Sequence, residues 1–117
     1  MLKINLSFEK PRLNINGEVF DVLRSDAQIV QDLLNLDAMF QDRDMTNPAN
    51  VLEKNREMLE YIDKLLGSGA VGKISKSVPE LGSMGLGLGG ITGILTAISE
   101  AAGQAYSASF NVKYSDD

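Results

Sequence analysis

Three groups of residues in this chain have types and spacings that could do chemistry. Gly85, Gly87 and Gly90 spell G-x-G-x-x-G. That spacing serves a pyrophosphate when the glycines turn a strand tightly into a helix whose amides meet the ligand. Here the preceding stretch "KSVPELGSM" is a poor strand, and no Lys-Ser or Lys-Thr completes a phosphate loop. A linker passing into a helix is therefore expected in place of a nucleotide site. In "DRDMTNPANVLE", Asp42, Asp44, Thr46 and Glu53 stand at positions one, three, five and twelve, as in a helix-flanked calcium loop. Asn47, however, holds the sharp-turn position that such loops reserve for glycine. Glu53, Glu57 and Glu60 fall on one side of a helical stretch, where a paired acid and base could stand, but charge on the outer face of an amphipathic helix ordinarily serves solvation.

No other catalytic constellation stands beside these groups. The 117 residues include no histidine and no cysteine, so the commonest general base, thiol nucleophiles and thiolate metal sites are all missing. No catalytic residue, cofactor or metal is expected. The net charge of −5 opposes a nucleic-acid backbone, whose binding draws on lysine and arginine displacing counterions. "MLKINLSFEK" alternates apolar and polar residues and lacks the continuous apolar core of an export signal.

The length suits one domain without a disulfide or metal staple, since a chain of this size buries roughly 65 to 70% of its unfolded surface. An α+β fold is expected: a small N-terminal antiparallel β segment over 1–23, then a mainly helical body of three to four helices. Leu2, Ile4, Leu6 and Phe8 alternate with polar residues at the period of a strand. Asn16-Gly17 supplies the positive φ angles of a tight hairpin, which places Leu13 opposite Phe20. A single sheet from 2 to 23 follows, and it needs helical support.

"SDAQ", residues 25–28, has the form of a capping box and opens a helix to about 41, with Ile29, Val30, Leu33, Leu36 and Phe40 on one side and Leu34 beside them. Asn47 as cap and Pro48 at the first turn start a second helix over 48–66. Its apolar stripe is Val51, Leu52, Met58, Leu59, Ile62, Leu65 and Leu66, Glu60 faces Lys64 at four-residue spacing, and Gly67 ends it. Residues 68–110 form a Gly/Ala-rich helical region, with "SGAVGKISK" as a short third helix and Pro79 as a break. The tail 111–117 either adds a strand, with Phe110, Val112 and Tyr114 on one side, or stays disordered.

The uncharged run from Leu81 to Ser99 nearly reaches membrane-spanning length, but its many Gly, Ser and Thr residues and its lack of aromatic or basic anchors argue against stable insertion. Small residues recur at every fourth place instead: Gly85, Gly89, Gly93, Ala97, Ala101, Ala105 and Ser109. On a helix they form a flat stripe that another backbone can approach closely. Glycines cost up to ~1 kcal/mol each in a helix interior, so Gly82 to Gly90 is expected to be disordered or to fold on a partner. The expected partner-binding residues are Gly85, Leu86, Leu88, Gly89, Ile91, Gly93, Ile94, Leu95, Ala97 and Ile98.

The layout, with a β segment, an acidic helical body, a helix ending in "YIDKLLGSGAVGKI" and a last helix, resembles the small tail-assembly chaperones of siphophages that infect Gram-positive bacteria. The resemblance spans most of residues 1–100 in outline, and "LLGSGAVGKI" is its one local echo. It implies a non-catalytic protein in the cytoplasm of the infected host. Such a protein binds and solubilises the long helical tape-measure protein during tail assembly, and often has a frameshifted longer form. The rival reading is a structural oligomer, a ring or tube subunit in which the same stripe packs between identical copies by self-association.

Overall fold

The computed structural model describes residues 1–116. Strand β1 is Leu2–Phe8, β2 Arg12–Ile15 and β3 Glu18–Asp21; the helices are α1 Asp26–Gln41, α2 Pro48–Leu66, α3 Ala70–Lys76 and α4 Gly87–Ala108; strand β4 is Phe110–Asp116. A single 3-10 turn at Pro79–Leu81 separates α3 from α4. The fold is α+β with a mainly helical body of four helices.

Local signals in the sequence set most of these boundaries. The amide of Gln28 donates to Ser25 Oγ at 3.2 Å and the amide of Ser25 to Gln28 Oε1 at 2.9 Å, a complete capping box. Asn47 caps α2 through the Ala49 amide at 3.0 Å, with Pro48 at the first helical position. Asn16 and Gly17 have φ of 51° and 89°, as a two-residue hairpin turn requires, and Leu13 pairs with Phe20 as expected. Gly67 ends α2 at φ 111° but leaves with ψ 155°, so the left-handed residue at this corner is Gly69.

The core gathers Phe20 and Val22 from the hairpin region, Ile29 from α1, Met58, Tyr61, Ile62, Leu65 and Leu66 from α2, Ala70 and Ile74 from α3, and Ile91, Leu95, Ile98 and Ala102 from α4. Ile62, Leu65 and Ala102 are wholly enclosed. Val30, Leu34 and Leu52 lie outside it and are exposed. On α1 the inward line is Ile29, Leu33, Leu36 and Phe40, and Val30 and Leu34 sit about 100° to 140° around the helix from Ile29. Glu60 pairs with Arg56, one turn back, and not with Lys64.

The expected sheet over 2–23 is instead two separate ribbons: β2 pairs with β3, and β1 pairs antiparallel with β4 in the register Leu2↔Asp116 to Phe8↔Phe110. Pro11, between β1 and β2, is buried and accepts from the Val22 amide at 3.0 Å, which ties this corner to β3 while β1 turns away toward β4. The β1–β4 ribbon stretches the molecule to 64 × 36 × 19 Å, with a radius of gyration of 17.7 Å against the ~13 Å of a compact chain of this length.

Candidate functional site

Helix α4 has two unlike faces because its aliphatic and small residues follow separate lines around it. Ile91, Leu95 and Ile98 point inward and are about 5% exposed, while Leu86 and Ile94 are half-buried against the same core. The expectation that this aliphatic line is offered to a partner is corrected: it is occupied by the chain's own α1, α2 and hairpin. Burying an aliphatic side chain gains about 1.5 to 3 kcal/mol and each helical glycine costs up to about 1 kcal/mol, so the aliphatic line outweighs the glycines and α4 forms from Gly87 onward.

The other face is open. Leu88, Gly89, Gly93 and Ala97 are exposed and Gly85 is half-exposed. A methyl group added at Gly85, Gly89 or Gly93 would meet nothing within 4 Å. Their smallness therefore serves no contact inside the chain.

Beside this face runs an apolar cleft of about 330 Å³. Leu13 and Ile15 of β2 form one wall, Ile74 and Val78 at α3 a second, and Ile94, Ala97, Ile98 and Ala101 of α4 the third. Ala97 stands where the open small-residue face and the cleft meet. The structure thus brings together Gly89, Gly93, Ile94, Ala97 and Ile98 of the expected binding residues, Ile98 as a buried residue at the cleft, whereas Ile91 and Leu95 are buried and do not line it. The β2 and α3 contributions escaped sequence reasoning. The alternation Leu13, Ile15 was visible, but nothing in the sequence says that a hairpin wall meets α4.

A second cleft, about 380 Å³, lies between α1 and α2 and is lined by Asp32, Glu57, Glu60, Tyr61 and Lys64 among others. Its carboxylates are already committed. Arg24 donates two hydrogen bonds to Asp32 at 2.9 Å each, Arg43 two to Glu57 at 3.1 and 3.0 Å, and Arg56 bridges Glu53 and Glu60. The Arg24 hydrogen bonds hold the Asp32 carboxyl below its ordinary value against the opposing effect of desolvation. Burial, and then the neighbouring Asp32 charge, push the Tyr61 hydroxyl up. Glu53, Glu57 and Glu60 are thus arginine-paired struts of α2.

The calcium-like loop is organised around itself in the same way. Asp44 accepts from the Thr46 hydroxyl and from its amide, the latter at 3.0 Å, and is held below its ordinary value by both. Glu53 is engaged by Arg56. Among the described residues no group of three or more acidic, histidine or cysteine side chains is placed to hold a metal ion. The glycines of the G-x-G-x-x-G spacing follow a 3-10 turn and no strand, with Gly85 and Gly87 at φ 72° and 67°. Among the described residues no helix is long and apolar enough to cross a membrane. No family model matches the chain, and no curated protein or solved structure matches it either.

Proposed function

We propose that the protein is a non-catalytic assembly factor that receives an apolar helix of a long partner along the open face of α4. The partner chemistry fits a tape-measure protein of a siphophage tail, sheltered in the host cytoplasm before the tail tube polymerises. The observation that carries this reading is the line Gly89, Gly93 and Ala97, exposed and without an internal contact, running beside an apolar cleft. A second helix can approach a small-residue line to the short end of the usual 8 to 10 Å axial separation. Its apolar side chains then drop into the cleft, which has room for roughly two benzene-sized groups.

Glycine carries a conformational cost in a helix, and here it fills no tight place within the fold, so contact with a partner supplies a reason for it. The test is recovery of the tagged protein from cells that make it naturally, with mass spectrometry of what accompanies it, for the wild type and for Gly89→Leu with Gly93→Leu. A Cβ at either position meets nothing within 4 Å and leucine is a better helix former than glycine, so the melting temperature holds or rises. A long helical companion retained by the wild type and lost by the variant supports the reading. Retention by the variant, or recovery of the protein without such a companion, refutes it.

A further inference from the structure

Among the described residues, the β1–β4 ribbon presents a largely open face. In a strand pair, residues directly opposite share a face, so Leu2, Ile4, Leu6 and Phe8 lie together with Val112, Tyr114 and Phe110. These seven side chains are 46 to 68% exposed. Lys3, Asn5, Ser7, Asn111, Lys113 and Ser115 occupy the opposite face. At the root, Phe8 and Phe110 meet at 4.7 Å between ring centres, and Tyr106 of α4 stands 5.4 and 5.7 Å from them. The aromatic cluster fixes the ribbon's direction relative to the body and leaves its outer two-thirds bare.

We infer that this apolar ribbon face is a homodimer interface, covered by the same face of a second copy about a two-fold axis. Three observations favour a second copy over another occupant. The seven residues together expose on the order of 800 Å², more than the 300 to 600 Å² of the largest patch on a typical monomer and of the same order as the share each partner buries in a standard stable interface. Among the described residues the charges beside this face are Asp116 and the Met1 ammonium 3.8 Å from it, both at the tip, a rim position. Homodimer interfaces are more apolar than those between different proteins, and a charge-free centre offers a foreign partner no electrostatic complementarity by which to be selected.

The sheet that carries this face is only two-stranded. Two such faces stack about 10 Å apart into a four-stranded sandwich and give each ribbon the cover that an isolated strand pair lacks. A two-fold contact of this kind closes on itself and sends the lysine-bearing faces outward to water.

The inference is independent of helix docking on α4, since the two surfaces share no residue. Sedimentation equilibrium of the full chain tests it directly. The wild type is expected at twice the monomer mass. Leu6→Lys combined with Val112→Glu, a cross-strand pair of opposite charges that keeps the ribbon paired, is expected at monomer mass with an unchanged helical circular dichroism signal. A monomeric wild type, or a variant as dimeric as the wild type, overturns the inference.

A second measurement leaves the apolar face nearly intact and so stands even if the charged pair unfolds. The natural chain has no cysteine, so single replacements report contact cleanly. Leu6→Cys is expected to form a covalent dimer with a short bismaleimide, and Asn5→Cys, on the opposite face, is not. Absence of the Leu6→Cys product, or equal yields from both, overturns the inference.

Discussion

Replacing Gly93 and Gly103 together by alanine tests whether α4 is part of the cooperative fold of the free chain. Both lie inside the helix, and an added Cβ at either position meets no heavy atom within 4 Å. Each change should therefore return most of the helix-propensity difference, up to about 1 kcal/mol. Ten residues of helix put the two sites about 15 Å apart, far enough for the effects to add. The pair is expected to stabilise the protein by about 1.5 to 2 kcal/mol, which raises the urea midpoint by roughly 1 M at an m value near 2 kcal/mol/M. Gly87→Ala supplies a control of opposite sign, because φ there is 67° and an L-residue in that region costs about 1 to 2 kcal/mol. The assay is urea unfolding followed by circular dichroism at equal protein concentrations. An unchanged midpoint for Gly93→Ala with Gly103→Ala would mean that α4 lies outside the cooperative unit, as its glycine content alone suggests, and would refute the packing described for Ile91, Leu95 and Ile98.

Three further outcomes are expected. Ile62→Ala, at a fully enclosed position, lowers stability by about 3 to 4 kcal/mol through lost transfer energy and the cavity left behind, read from the same unfolding curves. Asp32 has its carboxyl lowered in the folded chain by Arg24, so the unfolded state binds the proton first as the medium is acidified. The stability from this pair is complete above the ordinary aspartate value near ~4 and is lost as pH falls through the depressed folded value; Asp32→Asn therefore shows a shallower acid limb in a series of melts below neutrality, and identical limbs would count against the pair. Calcium leaves the melting temperature unchanged, because Asp44 and Glu53 already have partners in Thr46 and Arg56; a calcium-dependent rise in a thermal scan would contradict that arrangement.

Elements governed by neighbours in sequence were legible from sequence. The Ser25 capping box, Asn47-Pro48 and Asn16-Gly17 each act within four residues, and each stands where local chemistry places it. What depended on distant neighbours was not. Both halves of the β1–β4 ribbon show their alternation, yet a period of two says only that a strand has two unlike faces, and the choice between β2 and β4 as partner is tertiary. Likewise the small-residue line of α4 was visible, whereas its separation from the buried aliphatic line depended on which side met α2. Ala97 joined the cleft only because β2 and α3 happened to face it.

The pairing of β1 with β4 also orders events in time. The hairpin and the packing of α1 on α2 close short loops and α4 joins them across a longer one, but the ribbon must bring together the most distant segments, about 100 residues apart, and is expected to form last. During synthesis at roughly 5 to 20 residues per second, β1 then waits on the order of 5 to 20 s for its partner strand to be made. Throughout that interval Leu2, Ile4, Leu6 and Phe8 form an unpaired apolar strand, open to pairing with another nascent chain from the same message. The stretch of this protein most in need of protection while it is being made is therefore its first strand.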